Sequence, residues 1–192
     1  ASKSSSLKVS LPSLISKPEV LLKTLSALFA TGSGVGVCSS SLLQLIDVIT
    51  ETIVPEIASR LGQDISPEST AIIGASMGGL TTIYAAIQKP DFFRTALSFS
   101  PHWVIGGESL ARKMMSEFPE PGKHKLWMSR GTKGLDALYE GPQDLADALI
   151  KSRGYKQNSN LVSRVLKNGA HSNATWAKYA PAALDFWLKE GL

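Results

Sequence analysis

A serine performs acyl-transfer chemistry only when its hydroxyl is held exposed on a fixed backbone and a base stands ready to take its proton. Residues Gly74-Ala75-Ser76-Met77-Gly78 meet the first condition. The pattern Gly-x-Ser-x-Gly is weak alone, because a tight glycine turn is written with the same letters. Here it follows the apolar run Ala71-Ile72-Ile73 and precedes an amphipathic stretch to Ile87, so strand, sharp turn and helix come in the order a nucleophile elbow needs. Gly74 and Gly78 supply the lack of bulk that a strained serine turn requires two positions to either side. Ser76 is the expected nucleophile.

Three histidines compete for the role of base. His171 sits in Asn168-Gly169-Ala170-His171-Ser172, after the last expected strand and before the terminal helix, and is the choice. His102, in Ser100-Pro101-His102-Trp103, follows a different strand and either lines a substrate pocket with Trp103, the preferred reading, or packs beside Trp103. His124 opens a strand and reads as a surface residue. A carboxylate normally fixes the tautomer of the base and stabilises its imidazolium, and the chain order serine, acid, histidine puts it after the strand that ends at Ser129. Asp136 is the first choice, Glu140 and Asp144 are the fallbacks, and a Ser76–His171 dyad is the remaining arrangement. One oxyanion donor follows from the turn itself, the backbone N–H of Met77. The second is assigned to the segment Cys38-Ser39-Ser40-Ser41. Trp103, Trp127, Tyr139 and Trp176 offer aromatic surface for an acyl or aryl group, although aromatic residues at such spacings more often fill a core.

These residues need a scaffold. From Ser69 the pattern alternates strand with helix, the signature of a parallel α/β sheet whose functional loops lie at the carboxyl ends of the strands. Strands are expected over 70–74, 95–100, 124–129 and 161–166, with helices over 77–88, 108–117, 143–153 and 173–189. Upstream, Ala1 to Ser6 reads as a polar start, Leu7 to Ile15 is interrupted by Pro12, a helix runs from Ser16 to Gly32, and Gly34 to Cys38 forms a short strand. Leu43, Ile46, Ile49, Ile53 and Ile57 mark a helix over 42–61 that Pro55 kinks or splits.

Composition limits the alternatives. The 192 residues, 43% of them hydrophobic, suit one domain with a sizeable core. A net charge of +4 from scattered Lys and Arg argues against a nucleic-acid partner. With Cys38 as the single cysteine, neither an intrachain disulfide nor a cysteine-based metal site can form. The stretch Leu21 to Val37 is too short and too interrupted to span a membrane, and its faint signal-like character lacks a convincing cleavage pattern. A soluble protein is expected, with the cytoplasm slightly favoured.

From about Leu42 to Leu192 the chain resembles the Putative esterase family of α/β hydrolases, which includes enterochelin-esterase-like hydrolases, S-formylglutathione hydrolases and feruloyl or acetyl-xylan esterases. The resemblance is carried by Ile72 to Leu80, Pro90-Asp91-Phe92-Phe93, Ser98 to Trp103, Gly131-Thr132 with Leu135 to Tyr139, Gly169 to Ser172, and Trp176. It implies an α/β-hydrolase-like three-layer sandwich with a mostly parallel sheet, Ser76 as nucleophile, His171 as base and Asp136 as acid. The chain departs from the family in the strand segment Met128-Ser129-Arg130 before Gly131-Thr132, where an acidic residue is usual, and at Asn173, where one is often found. Ala1 to Ser41 is unlike the family's N-terminal half, so the sheet is expected to be reduced or rearranged there.

The leading expectation is a carboxylic-ester hydrolase working through an acyl-Ser76 intermediate without a cofactor. A noncatalytic binding domain on the same scaffold and an acyltransferase are the alternatives. An exposed sheet edge left by a shortened N-terminal side would invite a homodimer.

Overall fold

A computed structural model describes residues 39–62 and 64–189 of the chain. The segment over 7–15, the helix over 16–32, the apolar stretch over 21–37 and the strand over 34–38 lie outside the described residues. Leu43–Leu192 forms one compact unit, and the unit Ala1–Leu42 is described only in its last residues.

The expected helix over 42–61 is present in three parts: α1 (Ser39–Val48), a π turn (Ile49–Ile53) and α2 (Val54–Leu61). Pro55 has no N–H to give, and the ladder widens just before it: the Val54 N–H donates to the Ile49 carbonyl, five residues back. The buried Thr50 hydroxyl donates to the Ile46 carbonyl at 3.0 Å, which helps hold the widened turn.

Strand and helix then alternate: β1 (Ala71–Ala75), α3 (Met77–Gln88), β2 (Thr95–Phe99), α4 (Gly107–Glu117), β3 (Lys125–Lys133), α5 (Glu140–Ser152), β4 (Leu161–Ala170) and α6 (Asn173–Leu188). The strands pair in parallel in the order β1-β2-β3-β4. Each new strand is added on the same side of the last, and right-handed crossovers in one direction put their helices on one face. Leu80 and Ile83 of α3, Met115 of α4 and Ile150 of α5 accordingly share a core with Leu126 and Met128 of β3. The alternate residues Leu97, Phe99 and Trp127 face the other way, against Ala183 and Phe186 of α6. The result is a three-layer α/β fold. Among the described strands all pairing is parallel, and no described helix is long and apolar enough to cross a membrane.

β2 is buried along its whole length, whereas β1 stands at the edge of the sheet formed by the described residues, with Ile73 half exposed. β3 and β4 run farther than their sequence pattern predicts, to Lys133 and Ala170. Polar residues at their carboxyl ends break the apolar alternation, yet the two strands keep each other in register through Gly131↔Leu166, with an irregularity before Lys133↔Ala170. What reads as loop around Gly131 is therefore sheet, and its backbone is fixed.

Candidate active site

Three strand ends converge on one hydrogen-bonded chain. Ser76 follows β1 directly, with φ 57° and ψ −123°, a backbone state a non-glycine residue adopts only under constraint. The constraint is visible: the Ser76 N–H donates to the Phe99 carbonyl of β2 at 2.9 Å, and its own carbonyl accepts from the N–H groups of Leu80 and His102, each at 3.2 Å. A Cβ on Gly74 would lie 2.4 Å from the Gly78 carbonyl oxygen, so the turn closes only over a glycine. At Gly78 itself an added Cβ would meet nothing within 4 Å. The expected need for a small residue holds on one side of the serine and not on the other.

The Ser76 hydroxyl donates to Nε2 of His171 at 2.9 Å, and Nδ1 of His171 donates to Oδ1 of Asp136 at 2.6 Å. A carboxylate only accepts, so the imidazole carries its proton on Nδ1 and leaves Nε2 free to take the serine's. His171 follows β4, and the Ser172 side chain caps α6 behind it. Asp136 lies in the 3-10 turn Gly134–Tyr139 after β3 and is wholly buried. Its Oδ2 accepts from the Gly131 N–H and from the Ser100 hydroxyl, both at 2.6 Å. The close approach at Gly131 admits no side chain, because a Cβ there would fall 2.2 Å from the Gly169 carbonyl oxygen and 2.9 Å from Oδ2 of Asp136.

The fallback acids go elsewhere. Arg130, buried on β3, pairs with Glu140 at 3.0 Å and lies 3.7 Å from Asp144. Both carboxylates are on the exposed side of α5, with neither hydrogen-bonded to His171.

His102 is half-buried beside His171, the two rings 6.2 Å apart, and its Nδ1 shares a 2.7 Å hydrogen bond with the Tyr139 hydroxyl. Burial, reinforced by the neighbouring His171, lowers its pKa below the ordinary 6.5. Burial first, and then the charge of Asp136, push the Tyr139 phenol above its ordinary 10, so it stays a hydroxyl. Trp103 is not a pocket wall. It is wholly buried, with its indole N–H donated to Gln143 Oε1 at 2.8 Å, because the 3-10 turn Trp103–Ile105 turns that ring into the core under α4. Trp127 is a core residue too, and Trp176 packs its ring edge-on to His171 at 4.9 Å.

Met77 opens α3 immediately after Ser76, so its N–H has no carbonyl one turn back to bond. Of the segment nominated for the second oxyanion donor, Cys38 lies outside the described residues and Ser39 to Ser41 begin α1. Sequence reasoning missed Ser100, whose only signal was its place directly after β2, and the supporting role of Gly131.

A parallel sheet with helices on both faces and a serine elbow at its carboxyl edge is the α/β-hydrolase fold. The chain belongs to the Putative esterase family, whose model matches residues 38–185. It is similar to the uncharacterized protein YbbA of Bacillus subtilis, with 24% identity over 73% of this chain and 57% of that one. Among solved structures it is similar to the enterobactin esterase of Shigella flexneri, with 20% identity, TM-score 0.58, and coverage of 72% of this chain and 36% of the other. It is also similar to the fluorophosphonate-binding serine hydrolase F of Staphylococcus aureus, with 21% identity, TM-score 0.52, and coverage of 75% and 63%. The chain thus spans between about a third and two thirds of the length of these proteins.

Proposed function

We propose that this chain hydrolyses carboxylic esters through an acyl-enzyme formed on Ser76. The observation that carries the reading is the unbroken chain Ser76 Oγ to His171 Nε2, and His171 Nδ1 to Asp136 Oδ1, at 2.9 and 2.6 Å. In the first half-reaction the Ser76 oxygen attacks the ester carbonyl carbon while His171 Nε2 takes its proton, and the Asp136 carboxylate stabilises the imidazolium. The carbonyl oxygen gathers negative charge opposite the Met77 N–H at the start of α3. Collapse expels the alcohol, which leaves with the proton from His171. Water then gives a proton to the same nitrogen, attacks the acyl carbon and releases the acid, restoring Ser76. His102, neutral near pH 7, forms an uncharged polar wall beside the base.

Intact-mass analysis after incubation with a fluorophosphonate tests the reading, run beside turnover of a short p-nitrophenyl ester. One adduct and measurable hydrolysis are expected, both lost in Ser76→Ala and strongly reduced in His171→Ala. A folded protein that takes no adduct would overturn the assignment and favour a binding domain; transfer of the acyl group to an added alcohol in preference to water would favour an acyltransferase.

We also propose self-association through the exposed face of β1, supported by the half-exposed Ile73 at the centre of that edge strand.

A further inference from the structure

All four strand ends reach the site, although the triad residues follow only three of them. The fourth, after β2, supplies Ser100. This residue is wholly buried and held at φ 42°, with its N–H donated to the Ser129 carbonyl at 2.6 Å. A non-glycine residue kept in that region by its surroundings has its side chain aimed by them too.

The Ser100 hydroxyl stands between two groups of fixed role. On one side is Oδ2 of Asp136 at 2.6 Å, which only accepts; on the other is Nε1 of Trp176 at 3.0 Å, which only donates. The direction is therefore set: the indole N–H donates to Ser100 Oγ, and Ser100 O–H donates to the carboxylate. A hydroxyl that accepts a hydrogen bond becomes a better donor in its turn. Trp176 also lays its ring edge-on to His171, at 4.9 Å and 87°, so one side chain bears on both the acid and the base.

We infer that Trp176 and Ser100 form a positioning relay that fixes the Asp136 carboxylate for His171, an inference that rests on the esterase reading of Ser76, His171 and Asp136. A buried carboxylate must have its oxygens satisfied, and the relay does so at Oδ2 together with the Gly131 N–H, leaving Oδ1 to the imidazole alone. Without Ser100 the carboxylate keeps only the Gly131 N–H at Oδ2, and the base is aligned less firmly. Neither relay residue is hydrogen-bonded to Ser76 or His171, so the relay is expected to act on kcat rather than on KM.

Ser100→Ala is expected to lower kcat about tenfold with KM changed less than about twofold, the size of one charge-assisted hydrogen bond. Trp176→Phe keeps the ring against His171 and removes only the donor, for a loss of about threefold. The double variant is expected to match Ser100→Ala, because Trp176 acts through Ser100. A proton NMR measurement of the low-field Nδ1–H resonance of His171 is expected to shift in each single variant. Folded variants with wild-type kcat, losses that add, or an unmoved resonance would overturn the relay. Should Ser100→Ala not fold, Trp176→Phe, at a half-buried site, carries the same readouts. The resonance is read without substrate, so failure of the wild-type chain to take a fluorophosphonate sinks the esterase reading while the resonance still decides the relay.

Discussion

His102 carries a pH dependence that can be given a sign. Its folded pKa is lowered, chiefly by burial and then by His171, so below the ordinary 6.5 the unfolded chain binds a proton that the folded chain resists. Stability is then at its full value above about pH 6.5 and falls as the pH is lowered through and below that value. Denaturant titrations between pH 7.5 and roughly 5 are expected to show this slope, and His102→Gln to flatten it; an unchanged slope in the variant would assign the loss to other groups. The residues with a signature in the sequence were those whose chemistry has a fixed chain order: Ser76, Asp136 and His171 could be nominated from turn, strand and order alone. Ser100 could not, because nothing in Phe99-Ser100-Pro101 says that a serine there points at a carboxylate beyond the next crossover and strand. Trp103 was misread for a related reason. An aromatic beside a site histidine has the same letters whether it faces the cleft or the core, and only Gln143 on α5, waiting for its indole, decides the matter.

At the scale of elements, the two glycine requirements differ in kind, and substitution separates them. Gly131→Ala would press a Cβ against the Gly169 carbonyl oxygen at 2.2 Å and the Asp136 carboxylate at 2.9 Å. A loss of about 1–3 kcal/mol or more is expected in denaturant unfolding, with activity falling further than stability because the acid itself is displaced. Gly78→Ala meets open space on a helix and is expected to leave stability unchanged or raise it by up to about 1 kcal/mol. Equal losses in the two variants would refute the close approach at Gly131 and the open space at Gly78. Strand and helix identities after Ser69 were legible because apolar runs and helical spacing alternate cleanly there. The ends of β3 and β4 were not, since Arg130 to Lys133 and Lys167 to Ala170 lack a strand's alternation and are held extended by each other. Pro55 announced an interruption, but the form it took, a π turn with Thr50 bonded back to Ile46, depends on packing that no local rule gives.

At the scale of the whole molecule, β2 and β3 lie inside the sheet while β1, which leads into Ser76, forms an edge of it among the described residues. Light scattering at rising concentration is expected to show a dimer, and Ile73→Lys to return it to a monomer with ester hydrolysis retained; a wild-type chain that stays monomeric would count against association through this face. The order of the strands has another consequence. Ser76, Asp136 and His171 follow β1, β3 and β4 of one uninterrupted run, from Ser76 to His171, and every crossover that spaces them lies inside that run. The alignment of the three is thus inherited as a single piece. A change of sequence upstream of Thr70 leaves every crossover between the three in place, so their spacing is set inside the run.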